Sequence, residues 1–376
     1  MRNVNPRVLI LTASYGNGHI QASHAIQQQF IKQGIEQATI IDLMKEGHPF
    51  LNKITTSLYK KSPQSSRMGL DYYGWSYYLT RETKHTALFN RSMQVLGRKK
   101  LMEVIHQQRP DAVVNAFPFG AAPEVCSTMG IQNFTVITDY ALHSTWIHPF
   151  VDKYYVATED LKQDIISKGF AKERVEVSGI PIRKEFDEMS FNRGALMRRS
   201  DKKTILIMAA DSGAVSYIEE MLQMLLLLGS YRIVVVCGRN EKLKQRLELQ
   251  YASFRQLKVL GYVDRIHELM STSSCIITKA GGLTLTEAIA LRLPIFIYKP
   301  YAGQERENAR YLAGMGVASV SHHVEELSAQ IQFLLTNPGL IEAVESRMIG
   351  LQKKHASALI VRDIIQTIDQ QVSVSI

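Results

Sequence analysis

Cysteine is scarce in this chain. Its three cysteines, Cys126, Cys237 and Cys275, lie far apart, and the last two fall inside apolar, strand-like runs. A thiol in such a run acts as a small hydrophobe, so a disulfide framework and a cysteine metal site are not expected, and a reducing compartment is. Long apolar runs are missing too. Spanning a bilayer takes roughly 18–20 uncharged apolar residues, and the nearest stretch, MLQMLLLLGSYRIVVVCG, is interrupted by Gly229 and Arg232. The chain enters a strand almost at once, with no basic-then-apolar leader, which implies a cytoplasmic protein. The turn SYGNGH lacks the third glycine of a GxGxxG fingerprint, which argues against a nicotinamide cofactor. No DxD-like acidic motif stands in the candidate ligand loops, so neither a metal nor another cofactor is expected.

What is present points to a two-domain globular protein. A chain of 376 residues with 45% apolar content exceeds a comfortable single core, and its strand–helix rhythm is that of α/β domains. A net charge of +9 calls for an acidic partner: nucleic acid, an anionic membrane surface or a phosphorylated substrate.

The most informative stretch runs from Ile276 to Asn308. It reads as a buried strand, a Gly281-Gly282 turn, a helix, a second apolar strand and a Pro/Gly loop entering another helix. Thr284 or Thr286 is placed to cap a helix beginning around Leu285, whose unpaired N–H groups attract phosphate. Glu287 falls in its first turn, where a carboxylate is favoured and can accept hydrogen bonds from a sugar diol. Gly303 turns the second loop, and Gln304, Glu305 and Asn308 suit sugar hydroxyls better than phosphate. The plainer alternative is a common Gly-Gly turn and a dipole-favoured surface glutamate.

GG-x-T-x-TE-A followed by P-x(2)-GQE-x-EN-A resembles the donor-site signature of the glycosyltransferases that include monogalactosyldiacylglycerol synthase, the bacterial processive diacylglycerol glucosyltransferases and, more distantly, the transferase that makes lipid II. The resemblance implies that Glu287 holds the nucleotide ribose and that Gln304 and Glu305 read the donor sugar. It also implies a GT-B fold, two doubly wound Rossmann-like domains facing across a cleft. Residues 1–190 would form the acceptor and membrane domain and 191–376 the UDP-sugar domain, with the last helix crossing back to the first.

In the first half, a strand over Arg7–Thr12 leads into SYGNGH and a helix stopping at Gly34. His19 can take a proton from an attacking hydroxyl near neutral pH, or simply bond the backbone at the helix start. By resemblance the turn ending in Gly18-His19 faces the cleft beside the acceptor. Ser14 stands where plant members carry an aspartate, so that proposed base does not transfer. The strand FTVITD ends at Asp139, a second candidate base, a partner orienting one, or a buried paired carboxylate. Phe117 and Pro118 in DAVVNAFPFG, and His143 and Trp146 in ITDY-x-LH-x(2)-W, are the remaining acceptor-side candidates; by resemblance the latter motif matches the diacylglycerol glucosyltransferase branch.

Between Lys53 and Lys100, basic residues including Lys99 and Lys100 far outnumber Asp71 and Glu82, and are interleaved with Tyr72, Tyr73, Trp75, Tyr77 and Tyr78. Three environments suit this composition: a solvated face with inward aromatics, the headgroup level of an anionic bilayer, and a nucleic-acid groove. The donor signature favours the membrane and no nucleic acid. In the second half, Ser212 and Gly213 stand in a turn where the family usually has GA-x-G, with Asp211 putting a negative charge near the expected diphosphate. Gly238 and Arg239 end another strand, and the backbone around Val263 is the counterpart of the family's base-reading loop.

The expected activity is inverting transfer of glucose from UDP-glucose to 1,2-diacylglycerol, repeated on the product to give mono- and diglucosyl lipid of the kind that anchors lipoteichoic acid, by a peripheral enzyme on the cytoplasmic face of the membrane. The alternatives are a UDP-galactose-dependent synthase, a UDP-sugar sensor, and a sugar-nucleotide epimerase.

Overall fold

The computed structural model of the chain describes residues 5–13, 18–43, 45, 87–189, 203–209 and 215–374. They form two compact units. The chain passes from the first to the second at Lys184–Glu185 and returns at Gln352–Lys353.

The first unit is a six-stranded, wholly parallel sheet in the order β2-β1-β3-β4-β5-β6. Its strands are β1 (Val8–Thr12), β2 (Ala38–Asp42), β3 (Ala112–Asn115), β4 (Gln132–Val136), β5 (Lys153–Val156) and β6 (Val175–Val177). β1, β3 and β4 are buried along their whole length, as strands covered by helices on both faces must be, and their sequences are correspondingly apolar runs. Helices α1 (Gly18–Lys32), α2 (Ala87–Gln108), α3 (Ala121–Thr128) and α4 (Glu159–Ser167) connect them. Gly34, at φ 85°, ends the turn after α1, and the Thr158 hydroxyl caps α4 by accepting from Leu161 N. β4 stops at Val136, so Asp139 lies in the loop beyond the strand rather than at its last position.

The second unit begins in α5 (Lys184–Met189) and repeats the plan. Strands β7 (Thr204–Met208), β8 (Arg232–Val236), β9 (Leu257–Leu260), β10 (Cys275–Thr278), β11 (Ile295–Tyr298) and β12 (Ala318–Ser321) form a parallel sheet ordered β12-β11-β10-β7-β8-β9. The helices are α6 (Val215–Leu227), α7 (Glu241–Gln250), α8 (Ile266–Ser271), α9 (Gly282–Ala290), α10 (Gln304–Gly314), α11 (Val324–Thr336) and α12 (Pro338–Leu351). All three cysteines are buried and reduced.

The last helix, α13 (Ala356–Val374), belongs to the first unit. Ile360, Val361, Ile364 and Ile368 recur at helical spacing and pack with Val8, Ile10, Phe30 and Phe134. Each fully buried aliphatic side chain contributes about 1.5–3 kcal/mol. A polar latch adds register: Asp363 accepts from Lys153 Nζ at 2.9 Å and from the Tyr155 hydroxyl at 2.6 Å. Burial, reinforced by Asp363, pushes the Tyr155 phenol far above its ordinary pKa, so it remains the donor.

Both sheets reverse direction of growth once, between β1 and β3 in the first and between β7 and β10 in the second. Ligands of doubly wound sheets gather at such switch points, beyond the carboxyl ends of the strands. Among the described residues, no helix is long and apolar enough to cross a membrane.

Candidate active site

At the switch point of the first unit stands His19, in the first turn of α1. Its Nδ1 lies 2.9 Å from the carbonyl of Ala116, just past β3, and 2.9 Å from the Thr138 hydroxyl. A carbonyl can only accept, so Nδ1 carries the proton in that bond and the lone pair is left on Nε2. The ring is held edge-on against Phe117, with centroids 5.2 Å apart, and tilted beside buried Trp146 at 6.3 Å. Burial lowers the His19 pKa below its ordinary 6.5, and the charge of Asp139 and the Ala116 bond pull the other way without reversing it. At neutral pH the imidazole is therefore uncharged, oriented and ready to accept a proton. Of the two sequence expectations for His19, the backbone bond is observed, and it aims the other nitrogen away from Ala116.

Asp139 is 2% exposed and acts on His19 through its charge. His143 departs from the acceptor role expected of it. It is buried, and its Nδ1 lies 2.8 Å from the Thr145 hydroxyl and accepts from Thr145 N at 3.2 Å, capping the single 3-10 turn Ser144–Trp146 that seats Trp146. Phe119, which sequence reasoning passed over, packs tilted against Phe117 with ring centroids 5.0 Å apart and extends the aromatic wall next to Pro118.

At the switch point of the second unit, α9 starts at Gly282 with Gly281 as its N-cap and no side-chain cap. This corrects the expected start: the helix begins three residues earlier than Leu285, Thr284 does not cap it, and the Thr286 hydroxyl donates to Gly282 O at 2.7 Å instead. The three-residue connection Lys279–Gly281 leads from β10 into the helix. A Cβ built on Gly281 meets nothing within 4 Å, so the space before the helix start is open. Glu287 is consequently in the second turn, and it is 4% exposed rather than a surface carboxylate.

Gly303 adopts φ 94° and ψ −140°, a conformation essentially reserved for glycine, and turns the chain into α10, which begins at Gln304. Gln304 and Glu305 are partly exposed at that helix start. Asn308 is not: fully buried, it donates to Ala280 O at 3.0 Å. Its amide ties α10 to the loop before α9, a positioning task in place of the expected sugar contact. Beside them opens a pocket lined by the ends of β7, β10 and β11, by Tyr217 of α6, and by Lys279, Lys299, Tyr301 and Glu305. Lys279 Nζ sits 5.0 Å from the Tyr301 ring centre.

Arg239 lies over the exposed ring of Tyr262 at 5.2 Å, beyond β8 and β9, with Gly238 at φ 57° before it and Val263 following in the loop. The Arg98 guanidinium pairs with Glu124 at 3.1 Å and Lys100 with Glu103 at 3.7 Å; such exposed pairs are worth at most about 1 kcal/mol. Tyr72, Tyr73, Trp75, Tyr77, Tyr78, Ser14, Asp211, Ser212 and Gly213 lie outside the described residues. Among the described residues, no three His, Cys, Asp or Glu side chains are grouped to hold a metal ion.

Comparison with known proteins decides the family. Residues 19–182 match the profile of monogalactosyldiacylglycerol (MGDG) synthase, and residues 204–361 that of the glycosyltransferase family 28 C-terminal domain. A processive diacylglycerol beta-glucosyltransferase of Bacillus pumilus is 38% identical over 374 residues, 98% of this chain and 96% of its own. This chain belongs to the diacylglycerol glycosyltransferase family.

Solved structures agree on the fold of that family. MurG of Acinetobacter baumannii superposes with a TM-score of 0.63 at 14% identity, over 96% of this chain and 99% of its own. A Neisseria meningitidis UDP-GlcNAc 2-epimerase bound to UDP-GlcNAc does so with a TM-score of 0.61 at 16%, over 96% and 100%. At such identities the likeness is one of fold, here GT-B, and does not separate transferases from epimerases. The full-length family match does. Within the family frame, the residues that sequence reasoning missed are Thr138, Phe119, Lys279, Tyr301 and the group around Lys299. Only Lys299-Pro300 carried a local signal, a cation before a proline at a strand end.

Proposed function

We propose that the protein is an inverting glycosyltransferase that moves glucose from UDP-glucose to the 3-hydroxyl of 1,2-diacylglycerol and then to its own glucosylated product. The observation that carries the chemistry is the His19 tautomer, Nδ1–H bonded to Ala116 and Nε2 left basic in a site walled by Phe117 and Trp146. The choice of sugar and acceptor is supported by the Bacillus pumilus relative, a processive diacylglycerol beta-glucosyltransferase.

In this reading His19 Nε2 removes the acceptor proton as the oxygen attacks the anomeric carbon. The bond from that carbon to the diphosphate oxygen breaks with its electron pair, inverting the centre to β. The open start of α9 at Gly281-Gly282 receives the leaving diphosphate, since unpaired N–H groups and the helix dipole favour developing negative charge. Glu287 takes the ribose, and Gln304 and Glu305 take the sugar. Asp139 stabilises the imidazolium formed when His19 is protonated. A lipid acceptor requires the enzyme to work at a bilayer surface, and the basic, aromatic stretch from Lys53 to Lys100 supplies the composition for peripheral attachment to the cytoplasmic leaflet.

The test is mass spectrometry of lipids after incubating purified protein with diacylglycerol in anionic vesicles, offering UDP-glucose, UDP-galactose and UDP-GlcNAc separately. Hexosyl lipid from UDP-glucose alone, followed by dihexosyl lipid, is the expected result. Hexosyl lipid from UDP-galactose alone would replace the donor, and epimerised nucleotide sugar without any lipid product would refute the reading.

A further inference from the structure

The last residue of β11, Tyr298, is followed by Lys299 in a left-handed conformation, φ 48°. A lysine rarely adopts this backbone, and such outliers concentrate where function requires a particular chain path. In sequence, a cation at a strand end beside a ligand pocket reads as a phosphate contact. The side-chain geometry says otherwise. Lys299 Nζ lies 3.0 Å from Glu220 Oε2 and 4.8 Å from the ring centres of both Tyr217 and Tyr298. The Tyr298 hydroxyl donates to the same Glu220 oxygen at 2.9 Å, and the two rings meet edge-to-face at 6.1 Å. The ammonium is thus neutralised and boxed between rings, which are attractive partners for a cation. Burial acts to lower the Lys299 pKa, but the bonds and charges of Tyr298 and Glu220 outweigh it and hold the group above an ordinary lysine.

The four side chains come from two elements. Tyr217 and Glu220 belong to α6, Tyr298 is the last residue of β11, and Lys299 follows it. What they join is the root of the loop that runs through Pro300 to Gly303, whose glycine-only conformation opens α10 at Gln304 and Glu305. Lys299 and Glu305 line the same pocket. With one end of that short loop set by a left-handed lysine locked to α6, and the other by Gly303, the position of Gln304 and Glu305 follows from the lock.

We propose that Lys299, together with Glu220 and Tyr298, is a positioning group for the donor hexose: it sets where Gln304 and Glu305 stand, and through them the preference for one UDP-hexose over another. The proposal rests on the reading above that Gln304 and Glu305 face the donor sugar. It predicts a selective defect, because UDP lacks the hexose and is insensitive to the loop.

The test uses the full-length protein and its variants Lys299→Met, Lys299→Arg, Glu220→Gln and Tyr298→Phe. Calorimetric titration gives affinities for UDP and for UDP-glucose, and steady-state transfer compares UDP-glucose with UDP-galactose. Lys299→Met keeps the aliphatic stem and loses the charge. It is expected to weaken UDP-glucose about tenfold, the factor that loss of one charge-assisted bond's worth of positioning produces, with UDP within about twofold of wild type. Lys299→Arg restores most of the UDP-glucose affinity, Glu220→Gln reproduces the Lys299→Met ratio, and the preference between glucose and galactose narrows.

Equal weakening of UDP and UDP-glucose would overturn the proposal, making Lys299 a phosphate contact or a general support of the pocket. Unchanged ratios overturn it as well. If Lys299→Met does not fold, Glu220→Gln and Tyr298→Phe decide by the same ratio. Wild-type protein that binds UDP-glucose but glucosylates no lipid refutes the activity while the affinity ratio still tests the clamp.

Discussion

Replacing His19 by alanine is the most direct probe of the chemistry. General-base catalysis is worth about 10²–10⁴ in rate, or about 3–5 kcal/mol of barrier. His19 belongs in the upper half of that range because its geometry is set in advance: Nδ1 is bonded to Ala116 O at 2.9 Å, and the ring is braced by Phe117. Its lowered pKa leaves it neutral at pH 7, so no rate is lost to protonation. His19→Ala is therefore expected to reduce kcat about 10³-fold, with the KM for UDP-glucose within about twofold, since the candidate donor residues lie in the other unit. The acid limb of the wild-type pH–rate profile falls below pH 6.5. Asp139 raises the His19 pKa, so Asp139→Asn moves that limb to still lower pH. Stability follows the same sign. The unfolded chain takes up this proton first as pH falls, so the contribution of neutral His19 is present above pH 6.5 and is lost below it, toward the folded pKa. UDP release measured from pH 5 to 8, with circular dichroism as a control for folding, checks all of this. A folded His19→Ala protein within about threefold of wild-type kcat would refute the assignment, since general-base catalysis typically contributes about 10²–10⁴-fold.

Two further substitutions test the scaffold. Asp363→Ala removes the acceptor of Lys153 and Tyr155, whose polar atoms are then left partly buried without it. A loss of about 2–3 kcal/mol in urea unfolding of the first unit is expected, and a loss under about 0.5 kcal/mol would show the latch to be idle. Gly303→Ala forces a Cβ onto φ 94°, ψ −140°, at a cost of about 1–3 kcal/mol. Its signature is a raised KM for UDP-glucose with unchanged transfer geometry, seen as the same β-linked product; an unaltered KM would show that the loop path does not matter.

The order of elements in the candidate donor stretch was legible because it is local. Ile276 to Asn308 holds a strand, an open helix start, a second strand and a glycine turn in one contiguous run, and each is specified by apolar runs or by residues with special backbone freedom. Even there, short-range signals misplaced details. Thr284 and Thr286 look like caps, yet the helix starts at Gly282 without a side-chain cap, which places Glu287 in the second turn, and tertiary packing buries it. Asn308 looked like a sugar ligand because an exposed amide at a helix start would be one; burial against Ala280 is invisible in its neighbours.

Apolar periodicity, strand–helix alternation and the motifs around Gly281 and Gln304 suffice to specify two doubly wound units and the family, since each depends on residues close in the chain. The aim of His19 depends on a carbonyl 97 positions away, the neutralisation of Lys299 on a carboxylate 79 positions away, and the seat of α13 on Lys153, 210 positions before Asp363. Pairings at such separations leave no periodic trace in the residues that make them. They arise when the sheets form and bring strand ends together, and the proton on Nδ1, the clamp beside the pocket and the latch on the last helix all follow from that step.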